Sequence, residues 1–235
     1  MTKWARVARI LAGLHDDGEL DRGNVAVRLV SASLDALPVT GVSLSWVSDQ
    51  GPGAMLAATD DPSRLLEELQ FSLGEGPCVD SSKSGYPVMH ADLSETAATL
   101  WPAFGPRALE AGIAAVFAFP LQVGAVKMGV LDLYRDVAGP LNDGDLDEAL
   151  AYADAATAVL LELQATSTDD DVHPYFGDSM YDRAEVHQAS GMVSVQLGVS
   201  PADALTVMRA RAFSSEQTVI DLARDIVTRR MRFDD

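Results

Sequence analysis

Six arginines fall between Arg209 and Arg232, against three acidic residues in the same stretch. A guanidinium is always charged, planar and rich in donors, so it can pair with phosphate and also stack on a base. RNA loops are recognised in this way, through phosphates and splayed bases. Arg209, Arg211, Arg224, Arg229 and Arg230 are the candidate contacts. Arg209 and Arg211 stand two positions apart, about 200° around a helix, so both cannot face one ligand squarely. The same arginines would also suit a solvated helix face, or ion pairs with Asp203, Asp221 and Asp225.

Other reactive chemistry is sparse. Cys78 is the single cysteine, which excludes an intramolecular disulfide and a Cys-rich zinc site. Its neighbours in sequence, Glu75 and Asp80, would raise its pKa, so a structural thiol is expected. His15, His90, His173 and His187 are scattered, with no H-x-x-x-H pair. G-x-S-x-G, the P-loop and G-x-G-x-x-G are all absent. The expectation is a binding protein with no catalytic residue, no metal and no resident cofactor.

The elements that must position the arginines are legible from periodicity. Val186, Ala189, Val193 and Leu197 mark a helix over about 179–197, which Gly198 ends. Ser200-Pro201-Ala202-Asp203 restarts the chain as N-cap, N1 proline and acidic N3. Ala204, Leu205, Met208 and Ala212 are the inward stripe of that second helix. Ser214-Ser215-Glu216-Gln217 fits a capping box for a third, in which Val219, Leu222, Ala223, Ile226 and Val227 point inward. A three-helix module of roughly 50 residues has a small core, so support from the preceding helices or from a second copy is expected.

Upstream, helices are expected over Trp4–Leu14 and Asp21–Leu37, and an alternating strand over Gly41–Ser48 with a hairpin partner at Ala54–Thr59. A short helix capped by Asp60 or Asp61 follows, then SLGEGPCVDSSKSG as a loop, and a strand over Tyr86–Ala91. A helix from Trp101 to about Ala111, a strand pair Ala114–Gln122 and Gly129–Arg135, and a long helix Asp143–Gln164 complete the body. Hairpin-connected strands with helices at both ends give an α+β sheet domain. The expected division is a sheet domain over 1–165, a linker over 166–178 and a helical module over 179–235. Trp46, Phe117, Phe119, Leu131 and Tyr134 could enclose an apolar ligand in the sheet domain, although core packing suits most of them.

The net charge is −18. From residue 183 onward, 7 arginines balance 7 acids, so the whole excess lies upstream. A neutral module with a local arginine cluster on an acidic body keeps nucleic acid in play, and the body could repel or shield it. The N-terminus reads as an amphipathic helix rather than a signal peptide, and no apolar run nears the ~20 residues of a spanning helix, so a cytoplasmic protein away from membranes is expected.

Two sets of residues carry a family resemblance. Ala189-x-Gly191, Ala204, Met208-Arg209-x-x-Ala212 and Leu222-Ala223-x-x-Ile226-Val227 resemble the ANTAR domain of bacterial antiterminators. Ser72-Leu73-Gly74-Glu75-Gly76-Pro77-Cys78 and Phe119-Pro120-Leu121…Gly129-Val130-Leu131-Asp132-Leu133 look like a GAF domain. Together they resemble actinobacterial GAF–ANTAR transcription antitermination regulators over nearly the whole chain. The resemblance implies a homodimer that grips paired RNA hairpins in nascent transcripts, regulated through a GAF domain that takes a small-molecule signal. It singles out Arg209, which lies in the motif. Many ANTAR domains carry a basic residue where this chain has Ser190, so Ser190 stands at an expected RNA contact without the charge. A ligand-sensing regulator whose bundle binds another protein is the alternative. DNA binding through a helix-turn-helix fits less well, because the last helix holds its arginines at its far end.

Overall fold

The computed structural model describes residues 2–16, 19–20, 24–48, 51–166 and 177–233. Helix α1 (Lys3–Leu14) buries Val7, Ile10 and Leu14. Of the stripe Trp4, Val7, Ala8, Leu11 and Leu14 that the spacing suggested, Trp4 and Ala8 are exposed, because the buried face is turned toward Ile10. Two short paired strands, β1 (His15–Asp16) and β2 (Glu19–Leu20), lead to helix α2 (Val25–Ala36). The main sheet is built from β3 (Gly41–Ser48), β4 (Gly51–Ala58), β5 (Val88–His90), β6 (Ala115–Val123) and β7 (Val126–Arg135). Its order is β4-β3-β7-β6-β5 and every pairing is antiparallel. The turn between β6 and β7 is only Gly124-Ala125, with Val123 paired to Val126, so both strands run longer than their apolar cores suggested.

Both faces of the sheet are covered. Val42, Leu44, Phe117, Phe119, Leu131 and Leu133 face α1, α2 and α7 (Asp143–Thr166) in the largest core. Arg6 of α1 pairs with Asp147 of α7 at 2.8 Å and closes that layer's edge. The alternate residues of the same strands face α3 (Asp61–Leu73), α4 (Pro77–Ser84), α5 (Leu93–Leu100) and α6 (Phe104–Glu110). Asp60 caps α3 by accepting from Ser63 N at 2.8 Å, and Gly74, at φ +67°, ends it.

Two helices replace segments read as irregular. The loop expected around Cys78 holds α4, because Gly76 turns the chain at φ +124°, Pro77 occupies the first turn and Gly85 stops the helix in the left-handed region. A polar Ser-rich composition conceals these end signals. Helix α5 starts where Asp92 accepts from Ser94 N at 2.9 Å, a cap that its short length hid.

The C-terminal module consists of α8 (Gly177–Leu197), α9 (Pro201–Ser214) and α10 (Val219–Val227). The expected linker falls largely on residues 167–176, outside the described residues. Ser200 caps α9 as its sequence required. The cap of α10 is Thr218, whose hydroxyl accepts from Asp221 N at 3.0 Å, and not the Ser214–Gln217 box. Ser215 instead donates to Arg211 O at 2.7 Å, which extends the end of α9. Among the described residues no helix is long and apolar enough to cross a membrane.

Candidate nucleic-acid interface

The module's core is Val186, Ala189 and Val193 of α8, Ala204, Leu205, Met208 and Ala212 of α9, and Val219, Leu222, Ala223 and Ile226 of α10. One further side chain completes it. Phe71 of α3, in the sheet domain, is 2% exposed and packs inside this cluster. The marginal core expected of three short helices is thus filled from the neighbouring domain.

Two arginines clasp Phe71. The Arg183 guanidinium of α8 lies 4.5 Å from the ring centroid and that of Arg209 of α9 lies 5.8 Å from it. Arg209 Nε also donates to the Phe71 carbonyl oxygen at 3.0 Å. Gly74 permits this approach, since a Cβ there would stand 2.8 Å from Arg209 Nη1. Burial pushes the Arg209 guanidinium down to about 10, well below its ordinary value. Farther along the boundary, Arg107 of α6 stacks over the Phe213 ring at 5.3 Å. The residue singled out for RNA therefore faces the sheet domain.

The remaining sequence-selected residues are dispersed. Arg211 and Arg229 are exposed, with no carboxylate in ion-pair range among the described residues. Arg224 is exposed but sits between Glu185 at 3.1 Å and Asp221 at 3.6 Å, and Arg230 pairs with Asp225 at 3.0 Å. Ser190 is 1% exposed and donates to His187 O at 2.8 Å, so in this arrangement its hydroxyl stays inside the module. Small size, rather than a surface contact, is what its position uses.

The five residues grouped as a ligand pocket do not line one cavity. Successive strand residues point to opposite faces. Phe117, Phe119 and Leu131 are buried toward α1, α2 and α7, with Trp46 packed at their edge. Tyr134 faces the other way and donates to Asp60 Oδ2 at 2.6 Å. A cleft of about 270 Å³ opens elsewhere, between α3 and the module, against Glu67, Glu68, Phe71 and Arg183.

Under α3 and α4 lies a polar cluster that the sequence did not disclose. Asp132 of β7 stands opposite Ser43 of β3, and Ser43 Oγ donates to Glu67 Oε1 at 2.8 Å. Cys78 Sγ lies 3.6 Å from Ser45 Oγ, and Cys78 N donates to Gln70 Oε1 at 2.7 Å. Burial, then Asp132 and Glu67, pushes the Cys78 thiol far up. Glu75 and Asp80 are engaged elsewhere: Glu75 accepts from Ala103 N, and Asp80 from Trp101 Nε1. An acid within the apolar strand GVLDLYR was the available signal for Asp132.

Comparison with known proteins follows this division. Residues 22–161 match the GAF domain family and residues 178–227 match the ANTAR domain family. No curated protein matches the chain. The GAF domain of an Acinetobacter phosphoenolpyruvate-protein phosphotransferase is similar at 13% identity and TM-score 0.54, over 72% of this chain and all of that one. The corresponding Coxiella burnetii domain gives 17% and 0.55, over 69% of this chain and 95% of that one. A GAF domain/HD domain protein from Geobacter sulfurreducens gives 18% and 0.51, over 65% and 100%. At these identities the likeness shows the fold alone. A GAF domain is a sensory unit and an ANTAR domain an RNA-binding antitermination unit. This chain belongs to the GAF domain family and carries a C-terminal ANTAR domain, the composition of a GAF–ANTAR regulator.

Proposed function

We propose that the protein is an antitermination regulator whose ANTAR domain binds paired RNA hairpins in nascent transcripts, and that its GAF domain withholds that domain until a signal arrives. The observation that carries this reading is the Arg209–Phe71 contact: a motif arginine spends its best donor on a backbone carbonyl of the sensory domain. RNA engagement would require Arg209 to leave that carbonyl and the module to part from α3. Arg211 and Arg229 are then the charges already free for phosphate, and Arg224 and Arg230 would exchange their carboxylates for it. A pair of modules in a homodimer would hold two hairpins together, each raising the effective concentration of the other. The acidic body lies upstream of residue 183 and opposes RNA while the module is docked on it.

The test uses the full chain, because Phe71 belongs to the module's core and a truncated module would lack it. Affinity for a two-hairpin RNA is compared for the wild type, Gly74→Ala and Gly74→Ala/Arg209→Ala, with duplex DNA of the same sequence as a control. The Cβ of Gly74→Ala would meet Arg209 Nη1 at 2.8 Å, and the substitution leaves Phe71 in place. Gly74→Ala should bind RNA about tenfold tighter, with a steep salt dependence, and the double variant should lose that gain. Equal affinity across all three would sink the reading.

A second reading has its own support. The Arg224 and Arg230 ion pairs blunt the positive face, and Val195 of α8 is 84% exposed. Such a surface fits a protein partner or a second copy. RNA binding indifferent to Arg209, Arg211 and Arg229 would favour it.

A further inference from the structure

Three donors of different kinds converge beneath α3 and α4. Glu67 comes from α3, Cys78 from α4 and Asp132 from β7, and one ligand atom of each lies within 4.8 Å of the others. All three residues are buried, Glu67 at 1% exposure and Asp132 at 4%. Asp132 lies close enough to share protons with both Glu67 and Cys78, and the neighbouring Gln70 Nε2 has no partner. Buried carboxylates placed in this way need a proton or a cation between them.

We infer that Glu67, Cys78 and Asp132 form a binding site for a divalent cation of the zinc class. A thiolate sulfur with carboxylate oxygens selects a borderline-soft ion such as Zn²⁺ or Co²⁺ over Mg²⁺ or Ca²⁺, which take oxygen donors only. Bond lengths of about 2.3 Å to sulfur and about 2.0–2.2 Å to oxygen place tetrahedral ligands roughly 3.5 Å apart, so closing the present spread takes about 1 Å of side-chain movement. Three protein donors leave the fourth position of the tetrahedron open.

The surroundings complete the electrostatics. Metal ligands bind deprotonated, so three anionic donors around a dication leave one negative charge. Arg183 of α8 is buried against this cluster, acting on both Glu67 and Cys78, and its Nη1 has no hydrogen-bond partner. Its charge makes the loaded site neutral. Ser43, which donates to Glu67, and Ser45, beside Cys78, hold two of the ligands in orientation. The cleft between α3 and the module, lined by Glu67 and Arg183, is the way in. The ion would staple two helices to the sheet at the point where the ANTAR domain docks, and the site stands whether or not that domain binds RNA.

The test is a titration of chelator-treated full-length protein with Co²⁺, followed by displacement with Zn²⁺. One equivalent of Co²⁺ should bind and give the near-ultraviolet thiolate-to-cobalt charge-transfer absorption, which Zn²⁺ then abolishes. Cys78→Ser should remove that absorption. Glu67→Gln and Asp132→Asn should each weaken binding by roughly tenfold or more. Circular dichroism of each variant establishes that it is folded, and the three substitutions in separate elements prevent one folding failure from deciding the matter. Absence of stoichiometric Co²⁺ binding overturns the proposal. So does a bound ion whose spectrum is the same in folded Cys78→Ser, because that ion would sit on surface carboxylates.

Discussion

Arg209 Nε and the Phe71 carbonyl oxygen are 3.0 Å apart and belong to different domains. The same phenylalanine fills the core of the ANTAR module and receives Arg183 on its ring. Sensor and effector therefore share a hydrophobic core residue, and separating them exposes that residue as it frees the arginine. Any signal that shifts α3 is felt at Arg209 without an intervening element.

Gly74→Ala should loosen this contact from the sensor side. The new Cβ would meet Arg209 Nη1 at 2.8 Å, at a position whose φ of +67° already disfavours alanine. A loss of about 1 kcal/mol in stability is expected from the backbone alone. Chymotryptic cleavage after Tyr175 or Phe176, between the two domains, should accelerate in this variant, measured at a temperature well below its unfolding transition.

Docking should weaken as the pH falls. Burial first, and then the Arg209 and Arg183 guanidiniums, hold the His187 imidazole below its ordinary 6.5. A separated or unfolded module regains the ordinary value and so binds more protons just below pH 6.5. The stability of the docked state is complete above that value and declines as the pH drops from it toward the depressed one. Thermal unfolding between pH 7.5 and 5.5 should show this decline, and His187→Gln should reduce it, leaving the part that His90, also held below its ordinary value by burial, contributes.

Arg211 and Arg229 should each carry one phosphate contact. Alanine at either position should weaken RNA binding about equally across sequences and lower the salt slope by about one. Loss of sequence preference with an unchanged slope would assign them to base contacts instead.

Cys78 should be inert while the protein is folded. Its thiol is fully buried and held well above the usual range by burial and by Asp132 and Glu67. Iodoacetamide at pH 8 should modify it only as fast as the protein opens, and at once in denaturant.

Gly129→Ala should destabilise the sheet domain by about 2 kcal/mol or more. Its Cβ would stand 2.4 Å from Ser45 O of the paired strand, a backbone atom held by the ladder. Chemical denaturation would measure the loss.

Much of this was legible from the sequence. The stripes of α9 and α10, the Ser200 and Asp60 caps and the β6–β7 pair follow from local periodicity and end chemistry, which need no distant partner. Helices α4 and α5 did not, because each is 8 residues long and rests on caps and packing more than on a repeating stripe. The site residues divide in the same way. Arg211 and Arg229 are exposed as a solvated arginine face would be, while Ser190 and the aromatic set went into cores that no single strand or helix defines.

The sequence by itself determined a sheet domain followed by a three-helix module, and where the positive charge lies. Tertiary structure alone decided two relationships. It turned Arg209 inward onto Phe71, 138 residues away in the chain. It also gathered Glu67, Cys78 and Asp132 from two helices and a strand. The reason is the same in both cases. Periodicity records which face of an element is apolar, whereas a meeting of polar groups across elements depends on how those faces are stacked. Local spacing does not encode that stacking.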